Sequence, residues 1–376
     1  MTPLVLLLIP VSLAIASVAV FAILRASRRL GAFDSAPMQG QTKLPTRAIP
    51  NTGGIGIVLG IALPLIAALV GVLAMPDTLA RLLPAIEPHL AGVRDEAGTA
   101  LWLLGGLIAI HLLGVYDDRR PLGPWPKLAV MLLVPGAVIV ATDTRLLTML
   151  DAHAGGAWAS IVVTTLWCAV VINAINFMDN MDGIAGGSVL AAAACFLVAT
   201  LGNGQWFVAS VLALLVGAVL GFLLFNKPPA RIFMGDGGSL AIGYLLAMMT
   251  VRTTYYDPAR AGGWYAVLMP IAVLAVPLYD FVSVTTIRLA QGRSPFKGDL
   301  QHLSHRLVRR GLSGTQTMLV IAGLTGVTGV AGIVLGSLVP WQAALVGVQI
   351  ALLLALIALF EFASPATDRS SNGPAS

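Results

Sequence analysis

Long apolar runs alternate with short polar breaks along almost the whole chain. The runs lie near residues 3–24, 52–74, 98–115, 127–142, 157–174, 184–202, 206–224, 237–254, 264–287, 315–336 and 340–362. About 20 apolar residues cross hydrocarbon as a helix, because a helix satisfies its backbone hydrogen bonds internally. The pattern therefore predicts an all-α, polytopic membrane protein of about eleven transmembrane helices. They form one integral-membrane domain over residues 1–363, and the polar stretch 364–376 reads as a disordered cytoplasmic tail.

Charge placement orients these spans. The first run has no cation before it and is followed by Arg25, Arg28 and Arg29, the reverse of a cleavable signal peptide. This predicts an uncleaved first span with its N-terminus outside and, after eleven crossings, a cytoplasmic C-terminus. Of the 22 Lys and Arg residues, only Arg81, Arg94, Arg145, Arg252 and Arg260 then fall outside. Such a bias is what the positive-inside rule requires.

Composition agrees with the pattern. Hydrophobic residues make up 57% and charged residues 10%, against about 45–50% and about 25% in ordinary soluble domains. The basic pI of 9.5 does not indicate nucleic acid, because the cations sit in loops between spans, where they orient the chain or meet anionic lipid. Cys168 and Cys195 lie inside apolar runs with no metal-binding spacing and read as packing residues.

Four polar clusters interrupt the apolar text, and the span count puts all of them on the cytoplasmic edge. A carboxylate beside hydrocarbon is costly and demands a reason. The first cluster is GVYDDRR, where Asp117 and Asp118 could bind a cation, accept a proton or pair with Arg119 and Arg120. In NAINFMDNMDGIAGG, Asn173, Asn176, Asp179 and Asp182 recur every three residues. At about 100° per residue this stripe precesses, so a straight helix cannot aim all four at one site. Either the segment breaks near Gly183, or neighbouring pairs such as Asn176 and Asp179 act together; capping of the next helix would explain Asp182 alone. In RIFMGDGGS, Asp236 stands among three glycines, which let backbone N–H groups approach an anion at a helix start. SPFKGDLQHLSHRL carries His302 and His305, which a helix would place on one face, with Arg293 and Lys297 as phosphate contacts. Carboxylates and cations meeting at one interface suggest a divalent cation and a phosphorylated substrate, and therefore an enzyme.

Taken in order, DD, NxxNxxDxxDG, FMGDxGS and SPFxxDxxHLxHRL resemble the motifs of the polyprenyl-phosphate N-acetylhexosamine-1-phosphate transferases. The Pro- and Gly-rich KLPTRAIPNTGGIGI extends the likeness, which covers about Lys43 to Leu312. PLYD followed by the His loop resembles the branch that transfers N-acetylglucosamine-1-phosphate to undecaprenyl phosphate. The alternative branch, phospho-N-acetylmuramoyl-pentapeptide transferase, usually carries three consecutive histidines, a triplet absent here. Ser304 stands where the first branch commonly has His, and Asn180 where Gly is frequent. A membrane transporter is a remote alternative, since transporter sites tend to lie near the membrane midplane.

The resemblance implies an enzyme of the bacterial cytoplasmic membrane with its active site on the cytoplasmic side. It implies Mg²⁺, with Mn²⁺ as a substitute, and as partners undecaprenyl phosphate, a UDP-N-acetylhexosamine and the bilayer, with a homodimer compatible. Asn176 and Asp236 would hold metal and diphosphate, and Asp117 and Asp118 would stand near the attacking lipid phosphate with Lys127 as a phosphate contact. Asp179 and Asp182 would lie near the nucleotide, Asn173 is a further candidate contact, and His302, His305 and Arg293 would hold phosphate or sugar.

Overall fold

A computed structural model describes residues 1–31, 49–255, 263–294 and 300–362. Twelve helices position the candidate residues: α1 Thr2–Leu30, α2 Gly53–Ala74, α3 Ala97–Asp117, α4 Pro124–Thr142, α5 Trp158–Met178, α6 Ile184–Gly202, α7 Trp206–Asn226, α8 Gly235–Arg252, α9 Ala275–Ala290, α10 Leu303–Arg309, α11 Gly314–Val334 and α12 Pro340–Phe362. Among the described residues, α1 to α7, α11 and α12 are the nine helices long and apolar enough to cross a membrane. Helix starts follow sequence chemistry. Pro124 opens α4, where a missing N–H is harmless, and Ser313 caps α11 in a reciprocal box with Gln316.

Two of the expected spans take a different form. The run 264–287 is not straight: residues Trp264–Val273 and α9 meet at 64°. Pro277 has no N–H to give the carbonyl four residues back, so the ladder cannot run through the break at Leu274. Counting that pair as one bent crossing gives ten. The run 237–254 is α8, whose polar first turn makes it too weakly apolar to count by composition. It is nevertheless the most enclosed helix, buried without interruption from Gly237 to Val251, and it touches α2, α3, α5, α6 and α7. Protein rather than lipid surrounds α8, so a polar helix start is tolerated there. The all-α, polytopic fold is as expected.

Alternating helix directions bring the end of α3, the start of α4, the end of α5 and the start of α8 to one end of the bundle. At the opposite end Arg252 donates to both carboxylate oxygens of Glu96, at 2.6 and 2.8 Å. Cys168 and Cys195 are free and buried, as expected of packing residues. Helix α12 is peripheral and leaves Leu345, Val348, Leu352, Leu356 and Leu359 exposed, the pattern of a lipid-facing helix. The tail 364–376, Lys297 and the start of the Pro- and Gly-rich stretch lie outside the described residues.

Candidate functional site

Asp236 is the hub of the polar end. It sits in the first turn of α8, and that turn can come close to its neighbours only because glycines surround it. Gly235 has φ +68°, a left-handed conformation, and a Cβ there would meet the Asn51 carbonyl and the Asp118 carboxylate. Gly114 on α3 lies so near that its Cβ would overlap the carbonyl of Asp236 and the N–H of Gly237. The glycines therefore hold the end of α3 against the start of α8.

Asp118, the C-cap of α3, uses this proximity. Its Oδ1 accepts from the N–H of Asp236 at 3.0 Å and its Oδ2 from the N–H of Gly237 at 3.2 Å. A carboxylate thus caps the positive end of a buried helix. Burial pushes the Asp118 carboxyl up to about 7, the charge of Asp236 adds to the rise, and the two N–H bonds oppose it. His111, two turns earlier on α3, grips the same turn. A carbonyl has no proton to give, so its Nδ1 donates to the Gly237 carbonyl at 2.8 Å.

Asp117 turns the other way. Its Oδ1 accepts from the N–H of Leu122 at 2.6 Å, closing the α3–α4 turn, and its Oδ2 accepts from Lys127 Nζ at 3.0 Å. Lys127, on the first turn of α4, also pairs with Asp236 Oδ2. Asn176, near the end of α5, donates through Nδ2 to Asp236 Oδ1 at 2.8 Å and to Ser239 Oγ at 2.9 Å. Four helices thus bring Asp117, Asp118, Lys127, Asn176 and Asp236 together. The group carries three carboxylates against one ammonium, an excess of negative charge in a half-buried place.

The remaining candidates lie elsewhere. Helix α5 stops at Met178, so only Asn173 and Asn176 of the three-residue stripe are helical. The break comes earlier than at Gly183, which itself adopts φ +74° before α6. Asn173 donates to the Ala169 carbonyl one turn back. Asp179 follows the helix end, its N–H donating to the Asn176 carbonyl. Gly183 is the N-cap of α6, and Asp182 just before it accepts through Oδ2 from the N–H of Ala230, tying two loops together. Arg293 is exposed after α9, and Lys127 rather than Arg119 or Arg120 takes the cationic place beside Asp117.

His302 and His305 belong to a second cluster. His302 is the N-cap of α10 rather than part of it, so the expected shared helix face is corrected to two rings tilted at 59° with centroids 6.5 Å apart. The Nδ1 of His302 donates to Asp280 Oδ2 at 2.9 Å and its Nε2 accepts from Arg288 at 3.4 Å. Asp280 Oδ1 also accepts from the N–H of Leu303 at 2.6 Å. Phe177, next to Asn176 in the chain, touches this second cluster, with Arg288 over its face at 5.2 Å and His302 in an edge contact. The contacts of Asp280, Arg288, His111 and Glu361 did not emerge from sequence reasoning, although a signal existed. An ionisable residue within or at the edge of an apolar run is a functional marker by default, and all four fit that description.

Residues 100–254 match the family described as Glycosyl transferase family 4. Over 322 residues the chain is 28% identical to a probable undecaprenyl-phosphate N-acetylglucosaminyl 1-phosphate transferase of Bacillus subtilis, covering 84% of this chain and 81% of the relative. It is 32% identical to a decaprenyl-phosphate N-acetylglucosaminephosphotransferase of Mycobacterium tuberculosis, over 72% of this chain and 68% of the relative. A phospho-N-acetylmuramoyl-pentapeptide-transferase of Lacticaseibacillus paracasei is 33% identical, but over only 39% of this chain.

Proposed function

Because the chain belongs to glycosyl transferase family 4, we propose that it moves N-acetylglucosamine-1-phosphate, or a related N-acetylhexosamine-1-phosphate, from its UDP-sugar to undecaprenyl phosphate. UMP is released, and the lipid-linked product starts a cell-envelope polysaccharide in the bacterial cytoplasmic membrane, with the site on the cytoplasmic face. The observation that carries this reading is the meeting of Asp117, Asp118 and Asp236 with Lys127 at one end of the bundle. One substrate is confined to the bilayer and the other is soluble, so a site where helices end can reach both. The pentapeptide transferase reading has less support, since that likeness covers under half of the chain.

The donor set fits a hard divalent cation such as Mg²⁺, with Mn²⁺ as a substitute. Every acidic or amide group at the cluster offers oxygen, and three carboxylates outweigh one ammonium. Among the described residues no three His, Cys, Asp or Glu side chains converge to chelate an ion by themselves. Mg²⁺ commonly takes one or two carboxylates and completes its shell with water and substrate phosphates. Asp236 and the Asn176 amide oxygen would hold it together with the diphosphate. When bound, the ion supplies positive charge to the diphosphate and to the departing UMP.

The remaining chemistry falls to positioning. An oxygen of the lipid phosphate attacks the sugar-bearing phosphorus, the bond from that phosphorus to the UMP oxygen breaks, and UMP leaves with its electron pair. A phosphate monoester loses its second proton near pH ~6, so the nucleophile is already mostly a dianion at neutral pH. Asp117 and Asp118 then act as organisers: the first orients Lys127, which can turn to the lipid phosphate, and the second fixes the first turn of α8. Asp179, Asp182 and Asn173 flank the nucleotide, and Arg293 and His305 hold its phosphate or sugar. His302 acts through the loop it anchors.

The transfer is tested by incubating purified protein with undecaprenyl phosphate, Mg²⁺ and a panel of UDP-sugars while following UMP. No UMP from any sugar overturns the reading. A second expectation concerns pH. Without a cation Asp118 keeps its proton up to about pH 7, and an incoming cation disfavours that proton. Apparent cation affinity should therefore climb with pH below about 7, by at most about tenfold per unit for one displaced proton, and level off above it. Calorimetric titration across this range checks it, and a flat profile would separate Asp118 from the cation.

A further inference from the structure

The second cluster balances its own charge. Among the described residues it comprises Asp280, Arg288, Arg306 and Glu361, all at most 5% exposed. Two carboxylates face two guanidinium groups, and His302 bridges Asp280 and Arg288. The catalytic cluster has an excess that calls for a cation; this one does not. Buried ion pairs are seldom the best source of stability, since apolar residues often do as well, but they can fix one arrangement.

The arrangement fixed here joins the last membrane helix to the His loop. Helix α12 is otherwise loosely attached and lipid-facing, yet it ends in a buried carboxylate. Glu361 pairs with Arg306 Nε, and its Oε1 accepts from Tyr279 Oη at 3.0 Å. The Glu361 backbone carbonyl accepts from Arg310 at 2.7 Å. Arg306 lies on α10 and Arg310 caps it. Arg306 also donates to the Gln301 carbonyl at 2.6 Å and to Ser283 Oγ at 2.9 Å. On its other side α10 bears on the end of α5: Ser304 donates to Asn180 Oδ1, and His302 meets Phe177 edge-on. The residue before Phe177 is Asn176, which contacts Asp236.

We propose that Glu361 is a positioning residue for the transfer: by holding Arg306 and Arg310 it fixes α10, and through His302 and Ser304 it fixes the end of α5 that sets Asn176 against Asp236. This rests on the proposed transfer activity. Glu361 makes no contact with the Asp236 cluster itself, so its influence passes through α10 and, by way of Tyr279, through α9.

The test uses the full-length protein in lipid nanodiscs. Glu361→Gln keeps the volume and an acceptor for Tyr279 but removes the charge that Arg306 needs. KM for the UDP-sugar is expected to rise about tenfold, the scale of a sub-ångström misplacement, while KM for the lipid phosphate stays unchanged. A smaller folded fraction would lower kcat and leave both KM values alone. Hydrogen exchange of backbone amides 303–309 should accelerate in the same variant, with α8 unaffected. Tyr279→Phe should move both readouts less and in the same direction, and Leu359→Ala, on the exposed face of α12, should move neither. Wild-type KM and exchange in Glu361→Gln, or in Tyr279→Phe should the first variant not accumulate, overturn the proposal. Absence of UMP from the wild type would count against the transfer activity and the positioning role of Glu361 in it, while the exchange comparison still reports the latch by itself.

Discussion

Asp236→Asn should reduce transfer by about a thousandfold or more, the scale seen when a group that stabilises transition-state charge is removed. Asp236 takes the Asn176 amide on one oxygen and Lys127 on the other, and its own N–H binds Asp118. An amide of the same shape can still accept from Asn176, so helix α8 should keep its place. The loss is electrostatic. Two carboxylates would remain against one ammonium, and the proposed cation site would lose the carboxylate at its centre. UMP release at rising Mg²⁺ concentration measures the effect, with the thermal transition as the control for folding. A variant that keeps more than about a tenth of wild-type turnover, a loss under about 1.4 kcal/mol, would remove Asp236 from the chemistry.

Asp118→Asn should be nearly as damaging, and its pH profile distinguishes two roles. Both carboxylate oxygens accept backbone N–H groups from the first turn of α8. An Asn side chain has one oxygen and one NH₂ group, so it must aim a donor at a donor. Losing such a cap costs about 0.5–2 kcal/mol, and losing the charge weakens the cation's surroundings as well. As an organiser, Asp118 leaves a variant that is impaired by about a hundredfold or more at every pH. Recovery of the variant at alkaline pH would mark Asp118 as the base that deprotonates the lipid phosphate, because hydroxide or the pre-formed dianion could then replace it.

The spans were legible because an apolar run of membrane length, in a chain this poor in charge, suits hydrocarbon far better than water. That argument holds even for α8, which reads as a span through position and length although its start is polar. The bend at Leu274 was not legible as a bend. Pro277 and Pro270 stand in the sequence, but a proline in a helix start is harmless and one in its interior is not, and only the structure says which applies. At the site, Asp117, Asp118, Asn176 and Asp236 stood out as polar residues at the ends of greasy segments. The pairing of Asp118 with the first turn of α8 did not, because hydrogen bonds across 118 residues leave no local trace.

The three-residue stripe from Asn173 to Asp182 shows where local pattern ends. Periodicity could say that a straight helix cannot serve one site with all four residues. It could not say that α5 stops at Met178, or that Asp182 goes to the Ala230 N–H. The two positions that depart from the motif, Asn180 and Ser304, are unrelated as text and bonded in space.

By itself the sequence determined the solvent of this protein, its helical class, its family likeness and the residue types available for chemistry. These follow from composition and short-range order, which hydrocarbon and the ~3.6-residue helical repeat read directly. The tertiary structure alone decided which carboxylates share a cation's worth of excess charge and which are already neutralised by buried arginines. Charge balance depends on distances between helices far apart in the chain, and those distances are set by glycine contacts and packing that no linear pattern records.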